Sequence, residues 1–184
     1  MNKTNTKTLP KGWRWLPLGD VCEFAYGSSL PAHKREPGNV PVYGSNGIVG
    51  RHREALTTGA AIIIGRKGSI GEVHYSPVPC WPIDTTYYVE HTKLPANLRW
   101  LSLWLRALNL PAMNKAAAVP GLNRDDVYRI EIPLPPLPEQ KRIAAILKDQ
   151  LAAVERARAA TEAQLEAAQV LPATLLRRAF NGEL

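Results

Sequence analysis

The feature that most limits how this chain can fold runs from Glu139 to Val170, 32 consecutive residues without a glycine or a proline. Ala, Leu, Glu, Gln, Lys and Arg dominate the run, the residue types that lose least on entering a helix. At 1.5 Å per residue it predicts a rod of about 48 Å. Pro138 falls at the first helical position, where its fixed φ helps and its missing N–H removes nothing. Glu139 places a negative charge in the first turn, favourable to the helix dipole. Written as heptads, one core position holds Ala144, Leu151, Arg158 and Leu165, and the other holds Leu147, Val154, Thr161 and Ala168. Most of these are apolar, so the rod carries a stripe that needs a surface to cover it. An antiparallel coiled coil with another helix covers the whole stripe. Leu147, Leu151, Val154, Leu165 and Ala168 are then the pairing residues, with Arg158 and Thr161 as weak points. Pro172 predicts a bend or restart, Leu175, Leu176 and Phe180 continue the apolar face, and Asn181-Gly182 signals the stop.

Ahead of the rod the period changes. Short apolar runs are punctuated by glycine and proline: Val40, Val42 and Tyr43, then Ile48 and Val49, then the run from Ala61 to Ile64, then Thr85 to Val89. A helix is expected near 97–109, and Asp125-Asp126 after Asn123 resemble a helix start. Tyr128, Ile130, Ile132 and Leu134 alternate with Arg129 and Glu131, which predicts a closing strand. Strands with a segregated helix predict an α+β domain. PLPPL at 133–137 is a stiff, extended exit from that strand.

Charge is unevenly placed. Residues 1–132 carry sixteen Lys+Arg against ten Asp+Glu, while residues 133–184 carry seven against six. The excess on the first part favours a polyanion such as nucleic acid, and it equally suits simple solubility. Cys22 and Cys80 have no metal-ligand spacing, and the start of the chain has no apolar signal segment. Two reduced thiols in a cytoplasmic protein are expected. No stretch approaches the roughly 20 apolar residues of a membrane span. His33, His52, His74 and His91 lie in separate segments with no paired spacing, so no metal site is expected. No phosphate-binding Gly-Lys-Ser/Thr loop and no serine elbow occurs, so neither a cofactor nor a catalytic residue is expected.

Two glycine-punctuated basic turns do point to chemistry. YGSNGIVGRHR (43–53) presents Ser45, Asn46, Arg51, His52 and Arg53; IIIGRKGSIGEV (62–73) presents Arg66, Lys67 and Ser69. Bare backbone N–H groups, hydroxyls, amides and cations are what phosphates bind, and Arg and Asn can also read base edges. A third segment, 111–126, adds Asn114, Lys115, Asn123 and Arg124. The same residues also suit tight turns with solvated charges, a connector and a helix cap. Most of the tryptophans and tyrosines, such as Trp81 and Trp104, are read as core.

Several stretches resemble the DNA-specificity (S) subunits of type I restriction–modification systems. They are Trp15 with Leu18-Gly19-Asp20-Val21, Tyr43 to Ile48, Gly65 to Ser69, and Trp81 with Asp84-Thr85. The most specific are Val119 to Asn123, the junction from Ile132 to Ala144 with its Pro138-Glu139-Gln140, and the terminal Ala179 to Leu184. The resemblance implies a target-recognition domain over 1–135 and a helical spacer and dimerisation region over 136–184. In that family each recognition domain is followed by a long helix. Full subunits carry two such units, whose helices pair antiparallel while the domains read the halves of a bipartite DNA site. The resemblance also implies methyltransferase (M) partners docked on the helices and restriction (R) subunits joining the complex. The S subunit itself is not catalytic, and S-adenosylmethionine chemistry belongs to the partner. One recognition domain and one helix make this chain look like half a subunit, and a homodimer reading a palindromic, interrupted double-stranded DNA target resolves that. The alternative is a coiled-coil interaction scaffold whose basic face is incidental.

Overall fold

The structure, a computed structural model, describes residues 8–114 and 121–183. The chain divides into two compact units, one through Arg142 and one from Ile143 onward. The first is α+β, as its mixed periods predict. It contains β1 (Arg14–Pro17), α1 (Leu18–Val21), β2 (Ala25–Tyr26), β3 (Val40–Gly44), β4 (Gly47–His52), β5 (Ala61–Gly65), β6 (Val73–Ser76), β7 (Trp81–Pro82), β8 (Thr86–Val89), α2 (Leu98–Ala107), α3 (Arg124–Tyr128) and β9 (Glu131–Leu134). A last helix, α4 (Leu137–Phe180), begins in the first unit and makes up most of the second.

Three small sheets share the first unit. The largest runs β2-β8-β5-β6, all antiparallel, with Ile63 opposite Tyr88 on one side and His74 on the other. All of β5, Ala61 to Gly65, is buried. A strand with both neighbours paired and both faces covered reads as a continuous apolar run rather than an alternation, which is why AIIIG has no polar position. A second sheet runs β4-β3-β7, with β3 antiparallel to β4 and parallel to β7. The third pairs β1 with β9, so the first and last strands of the unit close on each other, Leu16 opposite Ile132. Phe24, Leu18, Leu101, Leu105, Leu110 and Ile132 are fully buried in its core.

The closing strand is shorter than its period-two pattern predicts. Asn123 caps α3 by accepting from the Asp125 N–H at 3.0 Å, so Tyr128 lies on a helix, and only Ile132 and Leu134 of the expected face are strand. An Asn cap satisfies a donor that a strand would have left to a ladder partner, and here the cap prevails over the β preference of Val127 and Tyr128. The Tyr128 hydroxyl is turned inward and accepts from the Phe24 N–H at 2.7 Å.

The proline run hands over from strand to helix within three residues. Pro133 pairs opposite Trp15 at the end of β9. Leu137 opens α4, so Pro138 sits second rather than first, where its N–H would still lack an intrahelical partner. Gln140 is fully buried one turn in. Its amide nitrogen donates to the Pro135 carbonyl at 2.8 Å and its amide oxygen accepts from the Asn97 N–H at 2.7 Å. Asn97 in turn caps α2 by accepting from Trp100 N at 2.9 Å. Glu139 and Arg142 close a two-bond ion pair on the outside of the same turn, both bonds at 2.7 Å.

In the second unit the helix runs continuously to Phe180, so no restart follows Pro172. One proline deletes one N–H donor, and the turns on either side keep theirs. Leu151, Val154, Leu165, Leu175, Leu176 and Phe180 are all exposed along it. Among the described residues no helix is long and apolar enough to cross a membrane, and no cluster of His, Cys, Asp and Glu could hold a metal ion.

Candidate nucleic-acid interface

The two glycine-punctuated turns, distant in sequence, meet at one carbonyl. The oxygen of Thr85, just before β8, accepts from the Ser45 hydroxyl at 2.7 Å, from Arg66 N at 2.9 Å and from Lys67 N at 3.1 Å. The second turn is closed by its own backbone: Gly65 N donates to Glu72 O and Gly71 N to Gly65 O, each at 2.8 Å. Two glycines are obligatory there. A Cβ on Gly65 would run into the Ser69 carbonyl, and Gly71 adopts φ +77° against the backbone of Leu110 and Pro111. Between the turns lies a shallow depression of about 350 Å³ lined by Asn46, Val49, Lys67, Gly68 and Ser69. Asn46, Lys67 and Gly68 are exposed at this rim.

The third segment joins from the other side. Leu122 N donates to the Arg66 carbonyl at 3.1 Å, and the Tyr87 hydroxyl donates to the Leu122 carbonyl at 3.2 Å. Burial, and then the neighbouring Tyr26 hydroxyl, push the Tyr87 phenol up to about 12, although Arg66 and Arg124 pull the other way. Tyr87 therefore stays protonated and keeps its role as donor. Arg124, the first residue of α3, is carried to the same place as Arg66. Their guanidinium carbons lie 5.1 Å and 5.3 Å from the centre of the Tyr26 ring, and Arg66 is also 5.9 Å from that of Tyr87. Arg66 Nη2 donates to Asp84 O at 2.7 Å and Arg124 Nη1 to Phe24 O at 3.3 Å.

The twelve residues anticipated from sequence therefore divide. Asn46, Arg66, Lys67, Ser69, Asn123 and Arg124 gather around this junction. Ser45 and His52 are buried and work inward. Ser45 ties the turns together, while His52 accepts from Glu36 N at 2.9 Å on Nδ1 and packs edge-on to Trp81. Arg53 faces two carboxylates, Glu36 at 3.1 Å and Glu54 at 3.4 Å. Arg51 is exposed at the far end of β4 and donates to Asn39 O at 2.8 Å. Asn123 spends its side-chain oxygen on the helix cap. Asn114 ends a short 3₁₀ turn, and Lys115 lies outside the described residues.

Tyr26 is the residue that sequence reading passed over. It is 53% exposed, against an expectation that most of the aromatics are core, and Trp81 and Trp104 are themselves only half-buried. Its signal was faint: a tyrosine followed by Gly27-Ser28-Ser29 belongs to a polar turn, unlike the apolar surroundings of Trp104. Arg35 also works inward. It donates from Nη1 to Val49 O at 2.8 Å and from Nε to Leu30 O at 3.3 Å, fastening the β4 strand from outside. A larger cleft of about 740 Å³ lies beyond β4, lined by His74, Tyr75, Arg99, Ser102, Arg106 and Asn109. Its His74 is 3.6 Å from Glu72, and Arg99 lies over the Tyr75 ring at 5.0 Å.

What emerges is a cation-bearing surface assembled from three loops, with small side chains and backbone tied by hydrogen bonds across the turns. Comparison with known proteins gives it a lineage. Residues 10–167 match the family described as the type I restriction modification DNA specificity domain. The specificity subunit of the type I restriction enzyme EcoprrI from Escherichia coli is 30% identical over 137 residues, 71% of this chain and 34% of that protein. A subunit structure from work on assembly and conformational transition of the type I R-M system superposes with a TM-score of 0.75 at 28% identity, over 98% of this chain and 49% of that one. The HsdS subunit from Thermoanaerobacter tengcongensis superposes with a TM-score of 0.64 at 29% identity, over 99% of this chain and 48% of that one. The chain thus spans between about a third and a half of the length of these relatives. Its match runs through both the sheet-bearing unit and most of the long helix, and the chain belongs to the type I restriction–modification DNA specificity family, with one target-recognition domain.

Proposed function

We propose that this chain is the sequence-specific DNA-recognition subunit of a type I restriction–modification complex. In this reading the unit through Arg142 reads DNA and the long helix recruits the methyltransferase and, through that complex, the restriction subunit. The chain itself is non-catalytic and cytoplasmic, and the methyl-transfer chemistry belongs to its partner. The observation that supports it best is the convergence of three basic loops on Thr85 and Tyr26, because cations, exposed amides and bare backbone on a rigid frame are what a groove and its flanking phosphates require. The exposed apolar residues along α4 support pairing with a second copy of the chain. Two identical readers related by a two-fold axis suit a palindromic site interrupted by a spacer.

Co-expression with the methyltransferase subunit, followed by sequencing of the methylated positions, tests this directly. The expected outcome is a single interrupted palindrome that vanishes when the chain is omitted. Methylation at the same positions without the chain removes the specificity role, and two unlike half-sites remove the symmetric dimer.

A further inference from the structure

We propose that Tyr26, Arg66 and Arg124 form a binding site for the DNA sugar–phosphate backbone. The inference rests on the DNA-recognition reading above and sharpens it. Two guanidiniums share one half-exposed ring, 5.3 Å and 5.1 Å from its centre. Each stacking contact contributes about 0.5–1 kcal/mol at such a site, enough to hold a side chain in place against the repulsion of a like charge. Arg53, Arg129, Arg142 and Arg158 each face a carboxylate. Among the described residues no carboxylate pairs with Arg66 or Arg124. The positive charge gathered on Tyr26 is left for something outside the chain, and the nearest fit is a row of phosphates.

The donors point the same way. Bidentate reading of guanine requires two adjacent N–H groups presented together. Arg66 Nε is buried and without a hydrogen-bond partner, while its Nη2 is engaged by Asp84 O. The Nε–Nη2 edge of Arg66 is therefore closed, and Nη1 with the second hydrogen of Nη2 remains for an outside acceptor. Arg124 has its Nη1 turned back to Phe24 O. Cations held in place by a ring and a backbone carbonyl suit a phosphate oxygen, which accepts from any direction. The Tyr26 hydroxyl is a further group of the kind that contacts DNA backbones.

The test is a salt titration of the full chain, in its assembled state, against a randomised duplex library. The slope of log affinity against log salt and the enriched sequences are read together. The Arg66→Gln/Arg124→Gln double variant is expected to flatten the slope by about 2, since each phosphate contact contributes about 0.9. Its enriched sequence should match that of the unaltered protein. Arg66→Lys keeps the charge and should keep the slope. Tyr26→Leu keeps both charges but removes their platform and should weaken binding to all sequences by one common factor. Arg124→Gln alone, whose one side-chain hydrogen bond among the described residues is a long one, should flatten the slope by about 1 and serves if the double variant is unstable. Relaxed preference at one base pair in either arginine variant overturns the inference, as does an unchanged slope in a folded variant. If the unaltered protein shows no salt-dependent DNA affinity, the DNA-recognition reading itself falls; a normal slope there with unchanged variants overturns the phosphate site alone.

Discussion

Ser45 shows how a residue can be found for one reason and kept for another. Its place in a glycine-rich basic turn made it a candidate contact, yet its hydroxyl is buried on Thr85 O. That oxygen retains two backbone donors when the hydroxyl is removed. Ser45→Ala should therefore lower stability by about 1 kcal/mol and leave DNA affinity of the folded protein unchanged, which denaturant titration and gel shift can separate. Glu90 is a second inward-working side chain. Burial raises its pKa, but bonds from the Thr58 hydroxyl, Thr58 N and Gly59 N outweigh that, and the carboxylate ends below its ordinary value. A group whose folded pKa is depressed stabilises above its unfolded pKa, here about 4.3, and loses that contribution as pH falls through the folded value. Glu90→Gln should lower the melting temperature near pH 7 and narrow the gap to the unaltered protein below pH 4; a gap independent of pH contradicts the assignment. The glycine spacing and the basic side chains of these turns were legible because both are local. The inward orientation of Ser45 and His52 was not, because it depends on Thr85 and Glu36, forty and sixteen residues away.

At the scale of elements, the strand runs and both major helices could be read because their periods differ so plainly. The 3.6-residue rod and the all-apolar β5 had no competing description. What failed was Tyr128, where two signals overlapped and an Asn cap decided for helix. The junction between β9 and α4 was legible as a stiff handover, but its fastening was not. Nothing in Pro138-Glu139-Gln140 says that the glutamine, rather than the charged neighbours, is the buried member. Gln140→Leu fits the volume approximately and strands two polar groups, the Asn97 N–H and the Pro135 carbonyl. Each stranded group costs about 1–3 kcal/mol, so a loss of about 2–4 kcal/mol is expected in urea titration. Lys141→Leu, on the exposed side of the same turn, should change stability by less than about 0.5 kcal/mol. Equal effects from the two substitutions contradict a lock built on the amide.

For the molecule as a whole, the apolar stripe was legible in the heptads, but the identity of what covers it is not a property of one chain. The stripe is long and thin. Leu151, Val154 and Leu165 are exposed, the latter two at 59% each, and Phe180 at 89%. Arg158 and Thr161 interrupt its middle, where Arg158 instead pairs with Glu162 at 2.8 Å and the Thr161 hydroxyl bonds back to Ala157 O. An antiparallel pairing places these two polar positions close to each other near the two-fold axis, whereas a parallel pairing stacks Arg158 on its own copy, two like charges in one layer. The antiparallel arrangement is the one the charges favour. In the proposed dimer, Leu151→Lys with Val154→Lys puts four cations where the pair of chains would otherwise bury apolar side chains. Sedimentation should then shift from dimer toward monomer mass while the sheet-bearing unit keeps its near-ultraviolet circular dichroism. Binding to a two-half-site duplex should fall to the level of a single half-site, since linkage of the two readers is what raises the second contact's effective concentration. A dimer that survives the double substitution places the pairing surface elsewhere, and a wild-type monomer that binds both half-sites tightly removes the helix from the account.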